Sequence, residues 1–161
     1  MSDRRLRVGA LVIAGIGTCV AGYLTYVHYA GLRPFCAGGG HGCERVQSSS
    51  YAKLGGIPVA VLGLAGYVAI AAALLAAGER ARLAAAALAV TGFGFSAYLT
   101  YLELFVIDAI CQWCVASAVL LTALMVLTVG RLLLLADDDE PLDGIDQGGA
   151  GRGGQRSGAS T

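Results

Sequence analysis

The feature that most restricts this chain is its uncharged stretches. Residues 8–30 carry no formal charge beyond what His28 can acquire, and 57–78 carry none. Residues 83–102 are also free of charge and continue past Glu103 to Ile107, while 109–130 continue past Arg131 to Leu135. Each is close to the ~20 residues a helix needs to cross ~30 Å of hydrocarbon. Inside lipid a backbone must satisfy its own hydrogen bonds, which makes each stretch a helix. Only 14% of residues are charged and 57% are hydrophobic, whereas soluble domains are about a quarter charged. A net charge of +0 excludes the basic footprint of a nucleic-acid binder. The expectation is an all-α integral membrane protein: a four-transmembrane-helix bundle with spans at about 8–30, 57–78, 83–107 and 109–135.

Orientation follows the Lys/Arg bias of the flanks. Arg4, Arg5 and Arg7 precede the first span, Arg80 and Arg82 lie between the second and third, and Arg131 ends the fourth. The opposite side holds Arg33, Arg45 and Lys53, spread over the loop 31–56. The arginine-rich side is read as cytoplasmic and holds both termini, and the loop 31–56 as extracytoplasmic. The first span is longer than a signal-peptide core and lacks an A-x-A site, so it is read as retained. Residues 1–7 form a cytoplasmic N-terminus and 8–136 the membrane domain. Residues 137–161, acidic and then Gly/Ser/Arg-rich, read as a disordered cytoplasmic tail. Ten arginines to one lysine suit a GC-rich bacterial genome, hence a bacterial inner membrane.

The five cysteines are the chemical signal. Cys36 and Cys43 flank a glycine-rich stretch of the outer loop, and Cys111-Gln112-Trp113-Cys114 opens the fourth span. Four cysteines thus meet at the oxidising face, where disulfides persist. A CxxC in an apolar helix can be simple packing. At a helix N-terminus, however, free N–H groups and the dipole favour thiolate, the species that attacks disulfides. Cys114 lies about 4.5 Å deeper than Cys111, within lateral reach of a lipid-soluble quinone. A soluble thiol protein reaches only the loop pair.

These residues resemble the vitamin K epoxide reductase family, in its bacterial, disulfide-forming branch. The resemblance rests on Cys43-Glu44-Arg45-Val46-Gln47-Ser48-Ser49-Ser50, on Gly56-Ile57-Pro58-Val59 leading to Gly63 and Tyr67, and on Tyr98-Leu99-Thr100-Tyr101 before the CxxC. Four-helix disulfide generators of DsbB type carry their CxxC in the first external loop, whereas here the CxxC comes last. The resemblance implies that Cys36 and Cys43 are shuttle cysteines and that Cys111 and Cys114 are the active-site pair. A separate thioredoxin-like (DsbA-type) partner then reduces the loop disulfide. Cys43 attacks the Cys111–Cys114 disulfide, and Cys114 donates to a quinone (menaquinone or ubiquinone), supporting disulfide formation in exported proteins. The chain's polar C-terminal tail, in place of a fused thioredoxin domain, makes the partner a separate protein. Ser49 matches a serine that the family places near this site; the alternative is that Ser48, Ser49 and Ser50 cap a short interfacial helix running to Leu54. Vertebrate members hydrogen-bond their substrate through an asparagine and a tyrosine where this chain has Val59 and Ala118, which speaks for quinone rather than epoxide reduction.

Other residues carry two readings each. Tyr98 and Tyr101, at i,i+3 spacing, line a quinone pocket or pack the bundle. Glu103, an intramembrane carboxylate, is a proton-relay candidate or reaches the headgroups. Asp108 precedes Cys111 by three, the spacing of an N-cap. His41 is read as a solvent-exposed loop histidine, Cys19 as core, and no metal is expected. The competing functions are a membrane metal sensor or carrier with thiolate ligands, and a structural scaffold with static disulfides.

Overall fold

The computed structural model describes residues 3–36 and 42–138. Four long helices dominate it: α1 (Asp3–Tyr29), α3 (Val59–Leu75), α4 (Glu79–Leu102) and α5 (Gln112–Asp138). A short helix α2 (Gly42–Ser48) follows α1, and a five-residue π-helical turn (Glu103–Ile107) extends α4. Helix α1 packs on α3 and α5, and α4 packs on the same two, closing a ring. Among the described residues, three segments are long and apolar enough to cross a membrane: Asp3–Tyr29, Glu79–Ile107 and Gln112–Leu134. Helix α3 is equally apolar but has 17 residues, about 26 Å.

Why α3 is shorter than its uncharged run is visible at both ends. Residues 57–58 leave the helix to pair as β2 (Ile57–Pro58) with β1 (Lys53–Leu54), antiparallel, with Leu54 opposite Ile57. The turn is Gly55-Gly56, at φ +59° and +88°, and a two-residue hairpin with both φ positive wants glycine there. This hairpin, two residues to a strand, is the one sheet among the described residues. At the other end the chain turns at Gly78, φ +106°. The carbonyls left unpaired at the end of α3 are taken by Arg7: Nε donates to the Leu74 oxygen at 2.6 Å and Nη2 to that of Leu75 at 2.7 Å. Arg131 pairs with Asp3 beside it, so Arg7, Arg131 and the start of α1 gather at the end of the molecule away from the cysteines.

The core between the helices is built of small residues and a few large ones. Ala10, Ala14, Ala21, Ala85 and Ala89 pack with Tyr67, Ile70, Leu74 and Leu124, and small residues let helix backbones approach closely. Tyr67 is the keystone. Its hydroxyl donates to the Ser117 carbonyl at 3.1 Å and lies 2.9 Å from Ser117 Oγ, while its ring occupies the space where Gly17 has no side chain. The contact joins α1, α3 and α5. Cys19, expected in the core, is exposed. The buried stripe of α1 runs through Leu6, Ala10, Ala14, Gly17, Ala21, Leu24 and Val27, a helical phase that leaves position 19 on the outer side. His41 and the tail from residue 139 lie outside the described residues.

A β-carbon at position 17 overlaps the Tyr67 ring. Gly17→Ala is therefore expected to cost about 1–3 kcal/mol, read as a lowered thermal midpoint in detergent. An unchanged midpoint contradicts the packing assigned to Tyr67.

Candidate redox site

Two backbone devices bring the loop cysteines onto the CxxC. The first is a clamp on Phe35, the residue before Cys36. Its carbonyl accepts hydrogen bonds from Trp113 Nε1 at 2.8 Å and Gln112 Nε2 at 3.2 Å, and its N–H donates to the Tyr23 hydroxyl at 3.1 Å. Tyr23 and Trp113 stack with ring centroids 5.1 Å apart. The two inner residues of Cys111-Gln112-Trp113-Cys114 thus hold the loop segment that carries Cys36. The second device is Gly42, where any β-carbon would overlap the Ile110 carbonyl oxygen. Only glycine lets the start of α2 lie this close to the residue before Cys111. An exposed ion pair, Arg33 with Glu44 at 3.4 Å, spans the same loop and α2, and at a surface it contributes little.

The result is one buried sulfur-rich cluster. Cys43, Val46 and Cys111 form its centre, with Cys36, Ile107, Ala109, Trp113 and Cys114 packed against them. Cys36 and Cys43 are joined in a disulfide, while Cys111 and Cys114 are free thiols. Cys43 and Cys111 are 1% and 0% exposed, so within the cluster each is shielded by the other's element.

Cys111 precedes the first residue of α5, and the Val115 N–H bonds its carbonyl at 3.0 Å, which makes it the N-cap. Asp108 does not take that place, contrary to its spacing. It adopts φ +54° and its N–H bonds the Glu103 carbonyl, a left-handed position that aspartate tolerates better than most residues. The carboxylate at the helix start comes instead from Glu103, 3% exposed, whose Oε2 accepts the Cys111 N–H at 3.1 Å. Cys111 itself, just outside the membrane-crossing helix, has its thiol lowered to about 7. The main cause is a hydrogen bond from the Cys114 thiol, and the N–H groups of Cys114 and Trp113 add to it. Burial and the Glu103 charge oppose it.

Beyond Cys114 an apolar cleft opens between the helices. Leu24 of α1, Val59 and Gly63 of α3, Phe95 and Leu99 of α4, and Leu121 of α5 form its apolar walls. The polar groups on its surface include Ser49, Ser96, Thr100, Glu103, Cys114 and Ser117. Such a mostly apolar cleft with a few polar groups fits a flat, lipid-soluble ligand. Ser49 is at the wall, its hydroxyl donating to the Val46 carbonyl at 2.8 Å. Ser48 ends α2, and Ser49 stands at the N-cap of a three-residue 3-10 turn (Ser50–Ala52) without a side-chain capping bond; the turn stops short of Leu54 because residues 53–58 form the hairpin. Tyr98 and Tyr101 are 52% and 55% exposed and are not brought to the cleft. The inward phase of α4 is Ser96, Leu99, Thr100 and Glu103, and the two tyrosines fall on the outer side. Tyr51, Phe95 and Ser117 line the cleft without having been singled out in the sequence. Among the described residues, no group of three or more His, Cys, Asp or Glu side chains is placed to hold a metal ion.

The sequence model of the vitamin K epoxide reductase family matches residues 9–129, a stretch that runs from the first turns of α1 into α5 and contains both cysteine pairs.

The cause assigned to the Cys111 thiol has a direct readout. In the protein with Cys111 and Cys114 reduced, modification of Cys111 by iodoacetamide should rise with pH around a midpoint near 7. In Cys114→Ala the donor that favours thiolate is gone, so the midpoint should move upward, toward the ordinary thiol range near ~8.5. An unmoved midpoint contradicts the assigned hydrogen bond.

Proposed function

The chain belongs to the vitamin K epoxide reductase family, and from that premise we propose that it reoxidises a thioredoxin-like protein outside the cell membrane, passing the electrons to a membrane quinone. Membership makes it an oxidoreductase of a family whose electron partner is a quinone. The finer reading rests on one observation. The two cysteine pairs share a buried cluster, and Cys114, one helical turn past Cys111, lines an apolar cleft.

The steps follow from disulfide exchange. A dithiol partner attacks Cys36, leaves as a disulfide, and converts Cys36–Cys43 to two thiols. Cys43 then attacks Cys111 in an oxidised CxxC and displaces the Cys114 thiolate. Cys36 attacks Cys43 in turn, restoring the loop disulfide and freeing Cys111. Loop oxidised and CxxC reduced is the arrangement described above. Cys111 and Cys114 then give up two electrons and two protons to the quinone and close their disulfide. The residues around the site serve this order. Trp113, Gln112 and Gly42 hold the loop, and the cleft walls exclude water from Cys114. Ser49 is available to hydrogen-bond a quinone oxygen.

The proposed topology has four spans, with α3 as the second, reaching full thickness with help from the residues at its ends. The arginine end, with Arg7 and Arg131, is cytoplasmic by the positive-inside bias. The cysteine end faces outward, where disulfides persist, and the domain occupies 8–136. The thiol partner is a separate DsbA-type protein, and the quinone is menaquinone or ubiquinone.

Purified protein in detergent, given reduced DsbA-type oxidase and either quinone, should oxidise the partner and reduce the quinone. Alanine at Cys36, Cys43, Cys111 or Cys114 should each abolish turnover, while Cys19→Ala should keep it. Quinone reduction that survives loss of Cys114 contradicts the proposed route.

A further inference from the structure

The buried polar or charged residues among those described are Ser96, Thr128 and Glu103, and of these only Glu103 can ionise. A buried carboxylate is costly unless it is held by hydrogen bonds or used. One of its oxygens is held by the Cys111 N–H. Its side chain also lines the wall of the cleft, as Cys114 does. It begins the π-helical turn Glu103–Ile107, a local widening that recurs at functional sites. Among the described residues that line the cleft, it is the only carboxylate.

Thiol-to-quinone transfer needs a group in this position. Closing one S–S bond from two thiols releases two electrons and two protons, and quinone becomes quinol by taking two of each. The electrons pass at Cys114, whose thiol lines a mostly apolar cleft, and the carboxylate on the same cleft is the base at hand for its proton. We propose that Glu103 is the proton carrier of this step: it takes the proton from the Cys114 thiol and delivers it to a quinone oxygen. Glu103 ends in the protonation state in which it began. The second proton comes from water at the outer end, in exchange for the one Cys111 releases there. The inference rests on the function proposed above and adds to it the residue that couples proton to electron.

Glu103→Gln separates carrying a proton from holding the helix start, because the amide oxygen still accepts the Cys111 N–H. Two half-reactions are followed: reduction of the CxxC by the partner, read by thiol alkylation, and single-turnover quinone reduction by the pre-reduced protein, read by absorbance. Glu103→Gln should slow the second by about 100-fold or more, as for loss of a general acid–base group, and change the first far less. Quinone reduction at the wild-type rate overturns the inference, as does equal slowing of both half-reactions. Wild-type protein that reduces no quinone overturns the proposed function, and the inference with it. If Glu103→Gln does not fold, the wild-type protein decides. Time-resolved infrared difference spectra across quinone reduction should contain the C=O stretch of a transiently protonated carboxyl group, and its absence overturns the inference.

Discussion

The first N–H groups of a helix have no partner within it, and α5 meets that need with a carboxylate from the neighbouring helix. The bond from the Cys111 N–H to Glu103 Oε2 ties the end of α4 to the start of α5 across a tight reversal. That reversal depends on the π turn and on Asp108 in a left-handed conformation. With the junction set, Cys111 sits at the N-cap and Cys114 one turn further in, facing the cleft. The same junction presents the Ile110 carbonyl to Gly42 and the Trp113 ring to Tyr23. Removing the carboxylate would leave a buried N–H unpaired, typically a loss of ~1–3 kcal/mol, at the point where both cysteine pairs meet.

The opposite end of the molecule is organised by charge rather than by sulfur. Arg7 caps the last carbonyls of α3 and Arg131 pairs with Asp3, so the helix ends converge there. Between the two ends the Tyr67–Gly17–Ser117 contact holds three helices together. Its position matters for the site, because Ser117 also lines the cleft. Packing of the core and shape of the cleft are therefore linked through one tyrosine.

Much of this was legible in the sequence, because long uncharged runs and cysteine spacing report directly on physics. Lipid forces helices, and a CxxC at a helix start has few other uses beside a second cysteine pair. What was not legible depends on phase and on neighbours. The alternation of inward and outward positions on α4 decides that Leu99 and Thr100 reach the cleft while Tyr98 and Tyr101 do not, and an apolar helix with little amphipathic contrast hides that phase. Cys19 was misplaced for the same reason on α1. Asp108 had the spacing of an N-cap, but it closes the π turn in a left-handed conformation, so Cys111 takes the N-cap position and Glu103 accepts its N–H. The Gly55-Gly56 pair was the available signal for the hairpin, and the flanking strands of two residues each are too short to announce themselves.

The central claim is that the loop pair and the CxxC form one continuous route through Cys43 and Cys111. Its most direct test uses the Cys36→Ala/Cys114→Ala protein, oxidised mildly in detergent and mapped by mass spectrometry without reduction. The account predicts an intramolecular Cys43–Cys111 disulfide as the dominant product. Free Cys43 and Cys111 after oxidation, or crosslinks through Cys19 or between molecules in their place, would contradict it.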